Sequence, residues 1–500
     1  MKLNFQQYQD KVKACWIGKN IGGTMGTPYE GKREVLDIKG FATAPNVVLP
    51  NDDLDLQLIW LYALERLGPY AINASTLGEM WLNYIPAPWN EYGIGKANMN
   101  RGLRPSLAGD YDNNWLHSNG AWIRTEIWAC VAPAMPHIAA KFSIEDAKVD
   151  HGAGEGTVAA AFVAAVQSAA FVISDLNDCI DIGLAAIPEE SRLAKSIHLV
   201  REYYRNGKTW LEARNAVFEQ NKDIGDGWFE APTNVAYAVI GMLWGEGDFK
   251  KSMLTAVNCG DDTDCTAATV GATVGILYGS AGFPADWKEY IGDDIITVSL
   301  SVGGFTRGYL PKTCTQLTER VVAIAPAVLI AHRAPAVAAN RMLAFSEAVE
   351  FGEENDIPTD ITEELKKHVT KHLLPSLQEL KPYTMFFEEA FLRAHVTLSA
   401  APEITANGEI GVNIKFDNNT RYGNRQYGLT MRWILPDGFT AAGKTTALLQ
   451  RTDPHSHADA YASFVIKAGD RVETENRMIL EVTVPGRHTA MYISFLLFGC

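Results

Sequence analysis

The sequence predicts a multidomain α plus β protein, an all-helical domain followed by a C-terminal β-sandwich. Three observations carry this. Apolar residues recur at helical spacing through most of the first 380 positions, beginning with Tyr8, Val12, Cys15, Ile17, Ile21 and Met25. From about residue 390 the period changes to two, as in Ile410, Val412, Ile414 and Phe416. And two apolar helices each begin in a cluster of carboxylates, at Asn51-Asp52-Asp53-Leu54-Asp55 and at Asp261-Asp262-Thr263-Asp264.

Composition allows such a chain and narrows what it does. With 500 residues there is room for several domains, and 47% hydrophobic against 21% charged residues is the balance of an ordinary folded protein. A net charge of −15 argues against a general nucleic-acid or membrane-surface binder. The seven cysteines are scattered with no CxxC pair, which fits reduced thiols. The first twenty residues have no apolar stretch of signal type and no segment approaches a membrane span, so the expected location is cytoplasmic.

In chain order, residues 5–26 form a helix made narrow by Gly18, Gly22, Gly23 and Gly26, a pattern suited to close helix–helix contact. Pro28-Tyr29-Glu30-Gly31 then turns and leaves Glu30 available. Asn51 can cap the next helix, with the following acids favouring its positive end. Residues 84–128 show few regular signals and many aromatics, as in a long ordered loop whose rings either wall a flat ligand or staple the loop to the core. His151-Gly152 precedes an alanine-rich helix. Helical patterns follow at 187–205, 209–221, 232–246, 249–257, 315–333, 334–352 and 362–380. The expected division is a helical domain over 1–333, a helical connector over 334–385 and the sandwich over 386–500.

The second acidic cluster, Asn258 to Thr266, reads in two ways. One carboxylate can cap the buried helix that follows, but three crowded ones raise each other's pKa unless a cation sits among them. Hard divalent cations prefer such ligands. Two acidic helix starts meeting in the core would form a metal site, and the recurrence favours the cation over the cap.

Four stretches, in order, resemble the ADP-ribosylglycohydrolase family over about residues 10–330: Gly22-Gly23-Thr24-Met25-Gly26-Thr27-Pro28-Tyr29-Glu30, Asn51-Asp52-Asp53, Asn119-Gly120-Ala121 through Arg124 with His151-Gly152 downstream, and Gly260-Asp261-Asp262-Thr263-Asp264-Cys265. The resemblance implies an all-α fold with two Mg²⁺ ions, Mn²⁺ being an alternative, at the bottom of a cleft for an ADP-ribosylated or other small-molecule substrate. It implies Asn51, Asp52, Asp53, Asp262, Asp264 and, at the place of a threonine ligand, Cys265 as metal ligands, Glu30, Asp53 and Asp262 as catalytic residues, and Glu30, Asn119, Gly120 and His151 as substrate contacts. This chain departs where the family has threonine, at Asn51 and Cys265, and at Gly23, where an aspartate is common. A thiol is a poor Mg²⁺ ligand. Two other functions compete with the glycohydrolase: a binding protein that has lost turnover, and a glycosidase for a non-nucleotide sugar, which a cleft poor in Lys and Arg would favour.

Overall fold

The computed structural model describes residues 2–50, 52–225, 227–301, 308–332, 348–350, 361–389, 392–417, 426–450 and 458–500. Contacts group the chain into two compact units, 1–93 with 114–379 and 94–113 with 380–500.

The first unit is helical. Its central pair is α1, Phe5–Gly26, against a partner that begins in the second acidic cluster. Helix α2, Asp52–Leu67, starts in the first acidic cluster, and α3, Thr263–Tyr278, in the second. The glycines of α1 explain how it meets α3. A Cβ on Gly18 would overlap the carbonyl of Gly271, one on Gly22 that of Ala267, and one on Gly26 that of Thr263. The matching positions descend in α3 as they rise in α1, so the helices run antiparallel with their backbones in contact. The end of α1 is thereby fixed at the start of α3, and the Thr263 hydroxyl donates to the Gly26 carbonyl at 2.8 Å.

Helix α4, Cys314–Ala331, is long and apolar enough by composition to cross a membrane, contrary to the expectation that no segment comes close. Its buried Leu317, Val321, Ala325 and Val328 belong instead to the core of this unit, where it packs against α1 and α2. Of the helix expected over 334–352, only Ala348–Glu350 is described. It is a short strand paired antiparallel with Lys2–Asn4. The remainder of that expectation lies outside the described residues.

The second unit contains two five-stranded sheets. One is ordered Thr384–Glu388, Arg393–Leu398, Glu409–Asp417, Asp459–Lys467, Thr440–Gly443. The other is ordered Glu403–Ile404, Ala490–Gly499, Glu475–Thr483, Tyr427–Ile434, Thr446–Leu449. The alternation read from the sequence is the inward face: Ile410, Val412, Ile414, Phe416, Met478, Leu480 and Val482 are all buried in one core. Leu103, Leu107, Ala108 and Tyr111 share that core. They are joined to the strands by hydrogen bonds from Tyr111 Oη to Glu403 Oε1 at 2.7 Å and from Tyr383 N to Asp110 Oδ2 at 2.9 Å. The boundaries expected at 333 and 385 therefore do not follow the contacts: Ile361–His372 and Leu374–Glu379 group with the helices, and 94–113 with the strands.

Candidate active site

Helices α2 and α3 begin at the same place, although their heads are some two hundred residues apart in sequence. Ligand atoms of Asp53, Asp264 and Cys265 lie within 4.8 Å of one another, and so do those of Glu30, Asp262 and Asp264. The two triads share Asp264. Asp52, next to Asp53 in sequence, lines the same cleft of about 290 Å³ with Glu30, Asp262, Asp264 and Cys265. Asn51 lies outside the described residues. Glu30 comes to the cleft because Thr27–Tyr29 continues α1 as a single tight turn, pinned by Gly31 N donating to Asp261 O at 2.9 Å and Asp261 N donating to Lys32 O at 2.7 Å.

Capping does not account for the acids of α3. Asp262 stands at the cap position, yet its side chain makes no cap hydrogen bond. Its Oδ2 instead accepts from Asn119 Nδ2 at 2.6 Å, and Asn119 Oδ1 is held by Trp122 Nε1 at 2.9 Å. Asp261 turns away and accepts from Phe229 N at 3.3 Å. Among the described residues, the Oδ1 atoms of Asp262 and Asp264 are buried without a hydrogen-bond donor. The cluster accordingly holds protons. Glu30 is pushed up to about 8, chiefly by Asp264 and then by burial and Asp52. Asp52 is pushed up to about 7 by burial and Asp264, and burial raises Asp53, Asp262 and Asp264 as well. Buried, proton-sharing carboxylates with unmatched oxygens are a set that a hard divalent cation fits. Cys265 is the exception: burial and the surrounding acids, Asp262 first, keep it a thiol. The neighbouring hydroxyls do not replace a missing oxygen ligand, since Thr263 donates to Gly26 O and Thr266 to Thr263 O.

Sequence reasoning missed the charge beneath the cluster. Lys19, fully buried on α1, reaches Glu126 Oε1 at 3.0 Å and Asp53 Oδ1 at 3.7 Å. Gln57 and Gln167 donate to the same Glu126, each at 2.9 Å, so the network under Asp53 is closely satisfied. The third acid of the first cluster, Asp55, is structural. Its Oδ2 accepts from Val298 N at 2.7 Å and from Ser299 N at 2.6 Å, fixing that loop.

Two expectations about substrate contacts need correction. His151 is fully buried and does not line the cleft. It sits behind Ser118, with Nε2 at 3.3 Å from Ser118 Oγ and Nδ1 at 2.9 Å from Asp150 Oδ1. The segment 84–128 is not a long loop but holds the helices Asn90–Asn100 and Glu126–Val131. Of its aromatics, Trp89 and Tyr92 line the cleft, whereas Trp122 and Trp128 are fully buried core. Asn119 and Gly120 do line it, held there by the buried Arg124, which donates to the Gly120 carbonyl and pairs with Asp146 and Asp150. Glu91, which no pattern singled out, also lines it. Its pKa is raised by burial, against the pull of His151.

Residues 4–323 match the family model described as ADP-ribosylglycohydrolase. A curated relative, the ADP-ribosylarginine hydrolase Tri1 of Serratia proteamaculans (strain 568), is 40% identical over 52 residues, which is 10% of this chain and 14% of that protein's length. Among solved structures, an ADP-ribosylglycohydrolase-related protein complex aligns with 65% of this chain and 98% of its own at 20% identity and a TM-score of 0.39. A FixG-related protein from Vibrio parahaemolyticus aligns with 21% of this chain and 95% of its own at 12% identity and a TM-score of 0.16. The family match covers well over half of the chain and contains both acidic helix heads, the turn at Glu30 and the Asn119 loop. The chain belongs to the ADP-ribosylglycohydrolase family.

Proposed function

We propose that this protein is a metal-dependent glycohydrolase that cleaves the glycosidic bond of an ADP-ribosylated molecule or a related ribosyl glycoside. The observation that carries the reading is the pair of triads sharing Asp264 in one cleft. Asp52, Asp53, Asp262 and Asp264 would hold two divalent cations, Mg²⁺ by the hardness of the oxygens or Mn²⁺ in its place. Such ions supply Lewis acidity and water of lowered pKa.

The chain's own groups do the rest. Asn119 orients Asp262 and leaves its Oδ1 for a ligand. Lys19 holds Asp53 from below. Glu30 is the member of the cluster that is exposed at the cleft. That position suits its carboxyl to exchange a proton with a departing group. The free thiols support a reducing location such as the cytoplasm.

The test is turnover of a panel of ADP-ribosyl conjugates and ribosyl glycosides by chelator-stripped protein, with and without added Mg²⁺ or Mn²⁺. Hydrolysis that appears with the metal is the expected result. A folded protein that binds the metal and cleaves nothing in the panel would favour the binding-protein reading, for which Cys265 and Gly23 are the chemical motive.

A further inference from the structure

The cleft is acidic beyond what a cation site needs. Among its described lining residues none is lysine or arginine, and Glu91 adds a carboxylate from outside both triads. Glu91 is 5% exposed, and its Oε2 has no hydrogen-bond partner among the described residues. Its other oxygen lies so close to Gly120 that a Cβ there would overlap it, and is 4.0 Å from His151 Nε2. Glu91 thus occupies the space over Gly120 in the Ser118–Gly120 loop. The nearby guanidinium groups do not line the cleft. Arg124 pairs with Asp146 and Asp150, and Arg33 lies 3.3 Å over the Trp228 ring. The uncharged part of the wall includes three flat rings, Trp89, Tyr92 and Phe229. At about 290 Å³ the cavity is at the small end of ligand pockets, which run about 300–1,000 Å³.

Two divalent cations at the triads would bring four positive charges against the six carboxylates of Glu30, Asp52, Asp53, Glu91, Asp262 and Asp264, so a diphosphate, which needs hydrogen-bond donors and positive charge, still meets surplus negative charge at Glu91. Resting on the glycohydrolase reading, we infer that the substrate is a phosphate-free ribosyl glycoside, neutral or cationic, that presents hydrogen-bond donors to Glu91, and that the ADP-ribosyl form is disfavoured. The aromatic rings supply the stacking face for its aglycone.

Two compounds with the same leaving group separate the possibilities: nicotinamide riboside and nicotinamide adenine dinucleotide, assayed with saturating Mg²⁺. The riboside should be cleaved with at least about tenfold higher kcat/KM, and Glu91→Gln should narrow that ratio by raising cleavage of the dinucleotide. Preference for the dinucleotide, or a ratio indifferent to Glu91→Gln, overturns the inference. If neither is cleaved, the glycohydrolase reading fails on that arm, and binding decides the inference by itself. Calorimetry on the wild type should show adenosine binding more tightly than ADP-ribose, and ADP-ribose affinity rising with ionic strength as repulsion is screened. Tighter binding of ADP-ribose, an affinity that falls with salt, or no binding of either probe overturns it. The wild-type arms stand even where Glu91→Gln fails to fold.

Discussion

The two triads that share Asp264 differ in what surrounds them. Glu30, Asp262 and Asp264 form an all-oxygen set open to the cleft, with Asn119 steering one member. Asp53, Asp264 and Cys265 form a buried set with a thiol, and the ammonium of Lys19 lies 3.7 Å from Asp53. The first has the chemistry of a hard-cation site without alteration. The second already contains a positive charge and lacks one oxygen, so the two positions should not bind a metal equally. A paired site can therefore be unequal by construction, and substitutions at each side should separate the contributions.

Asp264→Asn should have the largest effect, because it alone belongs to both triads. Metal-dependent turnover should fall by about a hundred- to a thousandfold, the scale of losing one preorganised electrostatic group. Asp53→Asn, which touches only the inner triad, should cost less. Steady-state kinetics on folded variants make the comparison, and equal losses would remove the distinction between the two positions.

Lys19→Met should be the most damaging to stability. It leaves Glu126 and Asp53 buried without their cation, a change worth about 3–5 kcal/mol for a broken buried pair. Urea unfolding measures it, and adding Glu126→Gln should recover part of the loss by removing one stranded charge. A Lys19→Met protein as stable as the wild type would mean that the ammonium contributes nothing under Asp53.

The pH dependence tests the cluster as a whole. Glu30 at about 8 and Asp52 at about 7 are raised above ordinary carboxylates, so the metal-free folded protein keeps protons that the unfolded chain releases. The stability they contribute is fully present below about pH 4 and is lost as pH rises through about 7 to 8. A bound cation replaces those protons, and its stabilisation should grow over the same window. Melting temperatures with Mg²⁺ and with chelator should diverge between pH 5.5 and 8.5. A constant or shrinking difference contradicts proton displacement.

The smallest effect is expected from Cys265→Thr, which restores an oxygen to the inner triad with little change in volume. Mg²⁺ affinity should rise a few-fold by calorimetry, since the ion takes oxygen ligands and the thiol is not one. A wild type that instead prefers Zn²⁺, and loses it on this substitution, would make the sulfur a ligand.

What the sequence disclosed follows physical range. The acidic heads of α2 and α3 and the glycines of α1 are local patterns, and each pointed to a contact that exists. The alternation at Ile410 to Phe416 likewise marked a real inward face. Lys19 gave no signal, because a lysine on an apolar helix reads as solvent-facing until Glu126 is known to lie opposite. Glu91 was silent for the same reason: its importance comes from Gly120 and His151, distant in sequence. His151 was named a substrate contact by the family resemblance alone, whereas a histidine before a helix is usually structural, and Asp150 and Ser118 hold this one in the interior. The aromatics of 84–128 could not be sorted locally into cleft and core. Leu103, Leu107 and Tyr111 could not be assigned to the strand unit, because their partners come nearly three hundred residues later.

That last separation has a consequence in time. Residues 94–113 leave the ribosome long before the strands whose core they complete, with roughly 270 residues still to be made before 380 is reached. At about 5–20 residues per second the wait is roughly 15 to 50 seconds, far longer than the microseconds in which a helix or hairpin forms. During that interval Leu103, Leu107 and Tyr111 need a temporary cover, from the nascent helical unit or from a chaperone. The same arithmetic means that a stop codon placed after the last helix would not yield a tidy helical enzyme. It would yield a chain carrying an apolar segment whose partners never arrive.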